Sequence, residues 1–317
     1  MAEPGYNDNK GAVPQQSKFK QHFRKYWWAH LLNFVIGTLL LSLLLTYVGL
    51  PRIAQGDVDK AEMIINEQEV SMTTPTSFQL RVLSTVKSKS LFTPQLDGFE
   101  ASLFLEDTEP NIKPFAKINI PPVHATKVST TIVNQHVEIL DQEQFKRYNI
   151  LVATAKHFRM GLRGRTKLHL GALPVTTVDF NKAPELDGLN KLSGIEVSNI
   201  NVSLTKFPDG SNMQGRIMIP NPSVMTLEIG DLVQDISSNG TPIGNTTINN
   251  VVLRPGKNYF EMASSSDQAA VITILSADKT KSGILPITAK TISVTNKAGQ
   301  HLPYFEAAMV RISCTIS

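Results

Sequence analysis

Ser77-Phe78-Gln79-Leu80-Arg81-Val82-Leu83-Ser84-Thr85-Val86 places Phe78, Leu80, Val82 and Val86 on one side of an extended chain and Gln79, Arg81 and Thr85 on the other. A helix would scatter these apolar residues, so the stretch reads as a strand with one face buried. The same alternation recurs at Ile118-Asn119-Ile120, from Val128 to Leu140, and at Met309 to Ile316. Turn pairs punctuate the chain at short intervals: Asp97-Gly98, Pro121-Pro122, Asp209-Gly210, Asn239-Gly240 and Pro255-Gly256. Short alternating strands separated by such turns predict a mainly β fold of antiparallel sandwich type.

One interval departs from period two. Between Asp141 and Phe158, Phe145, Tyr148, Val152 and Ala155 fall near helical spacing, and Asp141 is placed to cap the first turn. A short helix packed on a sheet is expected there.

The order of events is written twice. Strand Ser77–Val86, then Leu91–Leu105, Pro114-Phe115-Ala116-Lys117 and Ile118–Val123 is matched by Gly215–Ile219, then Val224–Ile236, Thr241-Pro242-Ile243-Gly244 and Thr247–Leu253. The polar stretch Asn181 to Gly188 lies between. Two tandem β-sandwich units are expected, at residues 51–182 and 189–317, the first carrying the helix.

Ahead of them, Leu31 to Leu50 contains no charged residue and includes thirteen Leu, Ile, Val or Phe. At about 1.5 Å per residue this segment spans roughly 30 Å, the hydrocarbon thickness of a bilayer. Its apolar residues favour insertion by about 4 to 8 kcal/mol. Tyr26, Trp27 and Trp28 precede it and Tyr47 lies near its end, where aromatic rings meet headgroups. Gly49-Leu50-Pro51-Arg52-Ile53-Ala54 offers no small-residue cleavage site, so residues 31–50 read as an uncleaved signal anchor of single-pass type II. Lys18, Lys20, Arg24 and Lys25 precede the segment, against Arg52 and Lys60 after it. The positive-inside rule then places residues 1–30, a disordered basic tail, in the cytoplasm and the body in a lumen. Three glycosylation acceptor patterns agree with a lumenal body: Asn201-Val202-Ser203, Asn239-Gly240-Thr241 and Asn245-Thr246-Thr247.

Ile217-Met218-Ile219-Pro220-Asn221-Pro222-Ser223, continued by Leu227-Glu228-Ile229-Gly230 and Ser238–Gly244, resembles the group-two late-embryogenesis-abundant (water-stress) β-sandwich domain family. The whole chain, from basic tail through anchor to two β units, looks like the uncharacterised fungal single-pass membrane proteins related to it. The resemblance covers roughly residues 20 to 317, and its sharp motif is Asn221-Pro222-Ser223; the first unit has only Ser90 to Pro94 as a weaker counterpart. It implies about seven strands per unit, no catalytic residues, and a vacuolar or other endomembrane location, the endoplasmic reticulum ranking second. Some relatives are thought to bind lipid or protect membranes. Read physically, Pro222 removes a ladder donor, so the strand ends or bulges there, and Asn221 supplies side-chain hydrogen bonds to the turn.

The chemistry of the remaining residues narrows the field. Cys314 is the only cysteine, so no intramolecular disulfide or cysteine metal site exists in this sequence. Most of the net charge of +4 belongs to the tail, with five Lys or Arg against Glu3 and Asp8; the nearly neutral body is a poor partner for nucleic acid. His22 and His30 flank the anchor, and His124, His136, His157, His169 and His301 show no ligand spacing. No nucleophile elbow, zinc-protease motif or phosphate loop is present, so neither an enzyme nor a cofactor is expected.

One run stands out: Lys156, Arg159, Arg163, Arg165 and Lys167, without an acidic residue between them. Arg163, Arg165 and Lys167 share one face of a strand. They form either a solvated outer face or a patch for anionic lipid or an acidic protein. The expectation is a non-enzymatic, membrane-anchored interaction or scaffold module; the alternative is a lipid module with an acyl chain held in the sandwich.

Overall fold

The computed structural model describes residues 18–316 except 91, 239, 278–286 and 311–313. The chain divides between Arg52 and Ile53 into an N-terminal helical segment and a body. Helix α1 (Lys18–Leu44) runs through a π turn at Leu45–Gly49 into α2 (Leu50–Lys60). From Tyr26 to Lys60 it is long and apolar enough to cross a membrane. No residue between Leu31 and Leu50 is buried, so this apolar surface has no protein core to serve. Thr38 satisfies its hydroxyl locally through the carbonyls of Phe34 and Val35, both at 2.9 Å.

The body opens with β1 (Glu62–Ser71), β2 (Ser77–Lys87), the two-residue β3 (Gln95–Leu96), β4 (Phe99–Leu105), β5 (Pro114–Ile120), the two-residue β6 (Val123–His124) and β7 (Val128–Glu138). Helix α3 (Gln142–Thr154), β8 (His157–His169), β9 (Thr176–Lys182) and β10 (Glu185–Asp187) complete its first half. The second half contains β11 (Glu196–Val202), β12 (Met213–Asn221), β13 (Met225–Ser238), β14 (Thr241–Leu253), β15 (Gly256–Ser266), α4 (Gln268–Ala277), β16 (Ile287–Thr295), α5 (Pro303–Met309) and β17 (Cys314–Ile316). The fold is mainly β, as alternation requires.

These strands form two sheets. The larger runs β11-β12-β15-β14-β13-β1-β2-β7, with β16 on β13 and β17 on β16; the smaller runs β5-β4-β8-β3-β6, with β9 and β10 on β8. The two halves of the sequence meet inside the larger sheet, where β1 pairs in parallel with β13 from Gln68↔Met225 to Val70↔Leu227. Further along the same edge β13 takes β16, from Asp231↔Thr295 to Ser238↔Ile287. Gly230 sits at the change of partner with φ +100°, and a Cβ there would come within 2.1 Å of the Thr295 carbonyl. Only glycine fits that crossing. The polar stretch between the halves is itself built in, since β10 pairs with β8 over Glu185–Asp187.

Local signals decide the elements. Asp141 accepts a hydrogen bond from the Gln144 backbone N–H at 3.0 Å and starts α3, the helix expected there. The strand expected at Met309–Ile316 is different: Met309 closes helix α5, and among the described residues of this stretch only Cys314–Ile316 is extended. Pro303 pre-sets the first turn, and Tyr304, Phe305, Ala308 and Met309 lie on one buried helical face. Alternation over Met309–Ile316 overlooks that face because most of it lies upstream. Thr241-Pro242-Ile243-Gly244 and Thr247–Leu253, separate members of the repeated order, fall in one strand, β14.

Lys182 occupies a second unexpected position. It is 8% exposed, and its Nζ donates to the carbonyls of Val58, Asp59 and Ala61. These are carbonyls of the last turn of α2 and the residue that follows, where the helical bonding runs out; Val58 O also accepts from Ala61 N–H at 3.2 Å. Burial holds its pKa below the usual lysine value, opposed by the nearby Asp59. The Gln55 side chain completes the attachment, with Nε2 donating to Asp179 O at 2.9 Å and Oε1 accepting from Asp179 N at 2.8 Å.

The main core joins both sheets and helices α3 and α5. Tyr148 on α3 is buried there, and its hydroxyl accepts from Gln68 Nε2 at 3.0 Å. Burial pushes its phenol up to about 12 and also raises Tyr304. A folded-state phenol pKa above the unfolded value of about 10 stabilises the fold below that value, and the contribution is lost as pH rises toward 12. For Tyr148 alone the loss is about 2 kcal/mol by about pH 12. Denaturant midpoints measured from about pH 8 to 12 should fall, and less steeply in Tyr148→Phe; identical slopes would refute the assignment.

Candidate functional site

The second half builds a curled sheet whose inner face can be followed residue by residue. One row crosses six strands: Thr291, Gln234, Thr246, Ser264, Met213 and Val202 are successive lateral neighbours. The next contains Val294, Leu232, Ile248, Met262 and Gly215, with Ile200 packed beside Gly215. Thr291 near one end and Ile200 near the other line the same cavity, so the sheet curls around it. The result is a trough of about 80 Å³, walled by Ile195, Val197, Ile217, Ile219, Ile236 and three methionines, Met213, Met262 and Met309.

Its polar groups pair with one another. Gln234 Nε2 donates to Thr291 Oγ1 at 3.1 Å, and Ser264 Oγ donates to Thr246 Oγ1 at 2.8 Å. Among the described residues no charged side chain lines the trough. At one end α4 packs Val271 and Ile274 against Ile236, Ile243 and Ala289. At the β11 edge the apolar lining continues into solvent, with Ile200 55%, Val202 58% and Leu204 89% exposed. A smaller cavity of about 50 Å³ lies in the first half, bordered by Phe78, Tyr148 and Met160. Unbranched, polarisable methionine walls deform at little cost.

The basic run folds as β8, with Phe158, Met160, Leu162, Thr166 and Leu168 directed inward and the cations outward. Three of its five cations are matched by acids. Arg159 reaches Glu106 at 2.8 Å and Arg165 reaches Asp179 at 2.8 Å. Arg163 pairs with Glu109 and lies over the Phe104 ring at 5.3 Å. Lys156 and Lys167 are exposed. The acids come from other elements, Glu109 lying 54 residues before Arg163 and Asp179 14 residues after Arg165 on the next strand, so a reading confined to Lys156–Lys167 does not find them.

Asn201 on β11 and Asn245 on β14 are exposed, as glycan attachment requires; Asn239 lies outside the described residues. Three histidines each meet one carboxylate: His157 with Asp187 at 2.7 Å, His169 with Asp97 at 3.0 Å and His301 with Glu306 at 2.6 Å. Among the described residues no three His, Cys, Asp or Glu side chains converge to hold a metal ion. Asn221 is buried in the turn between β12 and β13, bonded to its own backbone neighbourhood, and β12 ends where Pro222 removes the donor. The trough itself escaped the sequence reading, since its methionines at 213, 262 and 309 come from three separated elements.

Comparison with known proteins adds one family match. A family described as a protein of unknown function, DUF3712, matches residues 113–236, from β5 into β13. Among curated proteins none matches. A bacterial adhesin from Mobiluncus mulieris, containing intramolecular disulfide, isopeptide and ester bond cross-links, is similar at 9% identity, over 67% of this chain and 81% of its own, with TM-score 0.22. A second crystal form of it gives 9%, 73%, 79% and 0.21. The periplasmic chaperone SfaE is similar at 10% identity, over 81% and 98%, with TM-score 0.18. Alignments at these scores carry no argument about function.

Proposed function

We propose that this chain is a non-enzymatic interaction or scaffold module held at an endomembrane, with its tail cytoplasmic and its body lumenal. The resemblance of its Asn-Pro-Ser segment to the fungal late-embryogenesis-abundant-related proteins points to the vacuole first and the endoplasmic reticulum next. The supporting observation is the row Ile200, Val202 and Leu204, three large apolar side chains more than half exposed, the first two on the strand that ends the larger sheet and Leu204 in the bend just past it. Contiguous apolar surface of this kind marks contact sites.

A photo-reactive residue at Leu204 of the full-length protein in its native membrane should give a discrete cross-linked product, absent when placed at the exposed Leu173 and lost with Ile200→Asn and Val202→Asn. Equal labelling from both positions would refute the reading.

The trough supports a second reading, an acyl chain held in the sandwich, because its lining is apolar and uncharged. Its volume falls well below the roughly 300 Å³ at which ligand pockets begin, so a chain entering it would have to displace the methionines. Native mass spectrometry of the full-length protein would then show a bound lipid, displaced by Met262→Trp.

A further inference from the structure

The other end of the larger sheet carries a different kind of opening. Strand β7 pairs with β2 at all eleven positions, from Lys87↔Val128 to Ser77↔Glu138, with no shift of register. Among the described residues no strand pairs with its other side. Backbone bonds outside the ladders flank it, with Ser88 N–H reaching Lys127 O before its first residue, and Ile139 N–H reaching Thr76 O and Leu140 N–H reaching Phe115 O after its last. Between Val128 and Val137 there is no Lys, Arg, Asp, Glu, Pro or Gly. Val128 and Ile132 are 60% and 56% exposed on its outer face.

Long, regular, uncharged edges invite an additional strand, and folded proteins ordinarily block them. Other edges of this body are blocked. Gln55 covers the backbone of Asp179 on β9. Gln135 covers β5, accepting from Asn119 N–H at 3.1 Å and donating to Asn119 O at 3.5 Å. Strand β11 is interrupted between Ser198 and Asn201, with Asn199 at φ +54°. Strand β7 has one such device, at its very start, where Thr126 Oγ1 donates to Val128 O at 2.7 Å; among the described residues none covers the backbone of Thr130–Ile132.

Beside that open half lies a cleft of about 340 Å³, between Ser129–Ile132 and the Pro121–Thr126 segment, with no Lys, Arg, Asp or Glu in its walls. We propose that this edge and cleft form a docking site for a short extended segment of a partner protein, uncharged and about five residues long, added to β7 as a further strand. Main-chain hydrogen bonds would supply affinity, and the cleft would select an uncharged side chain. Electrostatic matching favours such an occupant, since a charged segment would leave its charges unpaired against neutral walls. The cleft lies at one end of β7, which suits an unlike partner better than a twofold pairing centred on the strand. The proposal shares the interaction-module reading but not its β11 row, so either can fail alone.

The test uses the full-length protein in lipid nanodiscs with a capped, uncharged nonapeptide of alternating Thr and Val, read by amide hydrogen exchange. At millimolar peptide, exchange in Val128–Asn134 should slow by about tenfold while β11 stays unchanged. Thr130→Lys with Ile132→Lys, both at exposed positions, should abolish the slowing without moving the unfolding midpoint. No slowing, or equal slowing in the double variant, overturns the proposal. Slowing that depends on protein concentration without peptide overturns it in favour of a second copy.

Discussion

Replacing Phe145 by Ala should lower the stability of the body by about 3–5 kcal/mol, because the ring fills the junction between helix and sheets. Phe145 is 2% exposed. Its ring stacks on Phe78 at 5.1 Å, meets Phe115 at 5.8 Å and Tyr148 at 6.0 Å, and takes Tyr304 edge-on at 4.8 Å. These partners come from β2, β5, α3 and α5, so one deletion loosens both sheets and the C-terminal helix together. Thermal unfolding of the detergent-solubilised chain, followed by circular dichroism, should shift by about 10 °C. Leu140→Ala, at a position 54% exposed, should move it by less than about 2 °C. Equal shifts for the two would remove Phe145 from its assigned place at the centre of the core.

What the sequence discloses and what it hides follow one division. Signals carried within a single element were legible: the alternation at Phe78, Leu80 and Val82, the Asp141 cap, the stop at Pro222, and the apolar anchor. Features assembled from distant segments were not. The parallel pairing of β1 with β13 joins residues more than 150 positions apart and leaves no local pattern. Lys182 reads as a solvated charge in a polar stretch, yet its partners are main-chain carbonyls near residue 60, which have no side-chain signature. The acids that meet Arg159, Arg163 and Arg165 are hidden in the same way, since they lie on other elements. The trough is the extreme case, with its wall drawn from six strands. Strand β7 lies between: its neutral sequence was readable, but that nothing pairs with its outer side required the topology.

Two asparagines show how burial separates structural from surface roles for one residue type. Asn201 is exposed on β11, and Asn201→Ala should leave the unfolding midpoint in place while removing only the glycan shift carried by that site. Asn221 is 2% exposed and fully engaged. Its Nδ2 donates to Met225 O at 2.7 Å and Leu253 O at 3.4 Å, and its Oδ1 accepts from Ser223 N–H at 2.9 Å and Ser223 Oγ at 2.6 Å. Asn221→Ala leaves a buried donor and a buried acceptor without partners, at about 1–3 kcal/mol each, so a loss of about 2–5 kcal/mol is expected. Asn221→Asp should cost more at neutral pH, because a carboxylate oxygen would replace Nδ2 against two carbonyl oxygens in a site closed to water. Protonation restores a donor, so the Asp variant should regain part of its stability relative to Asn221→Ala as pH falls. Thermal unfolding of both variants at about pH 7 and pH 5 reads the difference directly. An Asp variant as stable as the parent at pH 7 would show that the amide donor does not hold this turn.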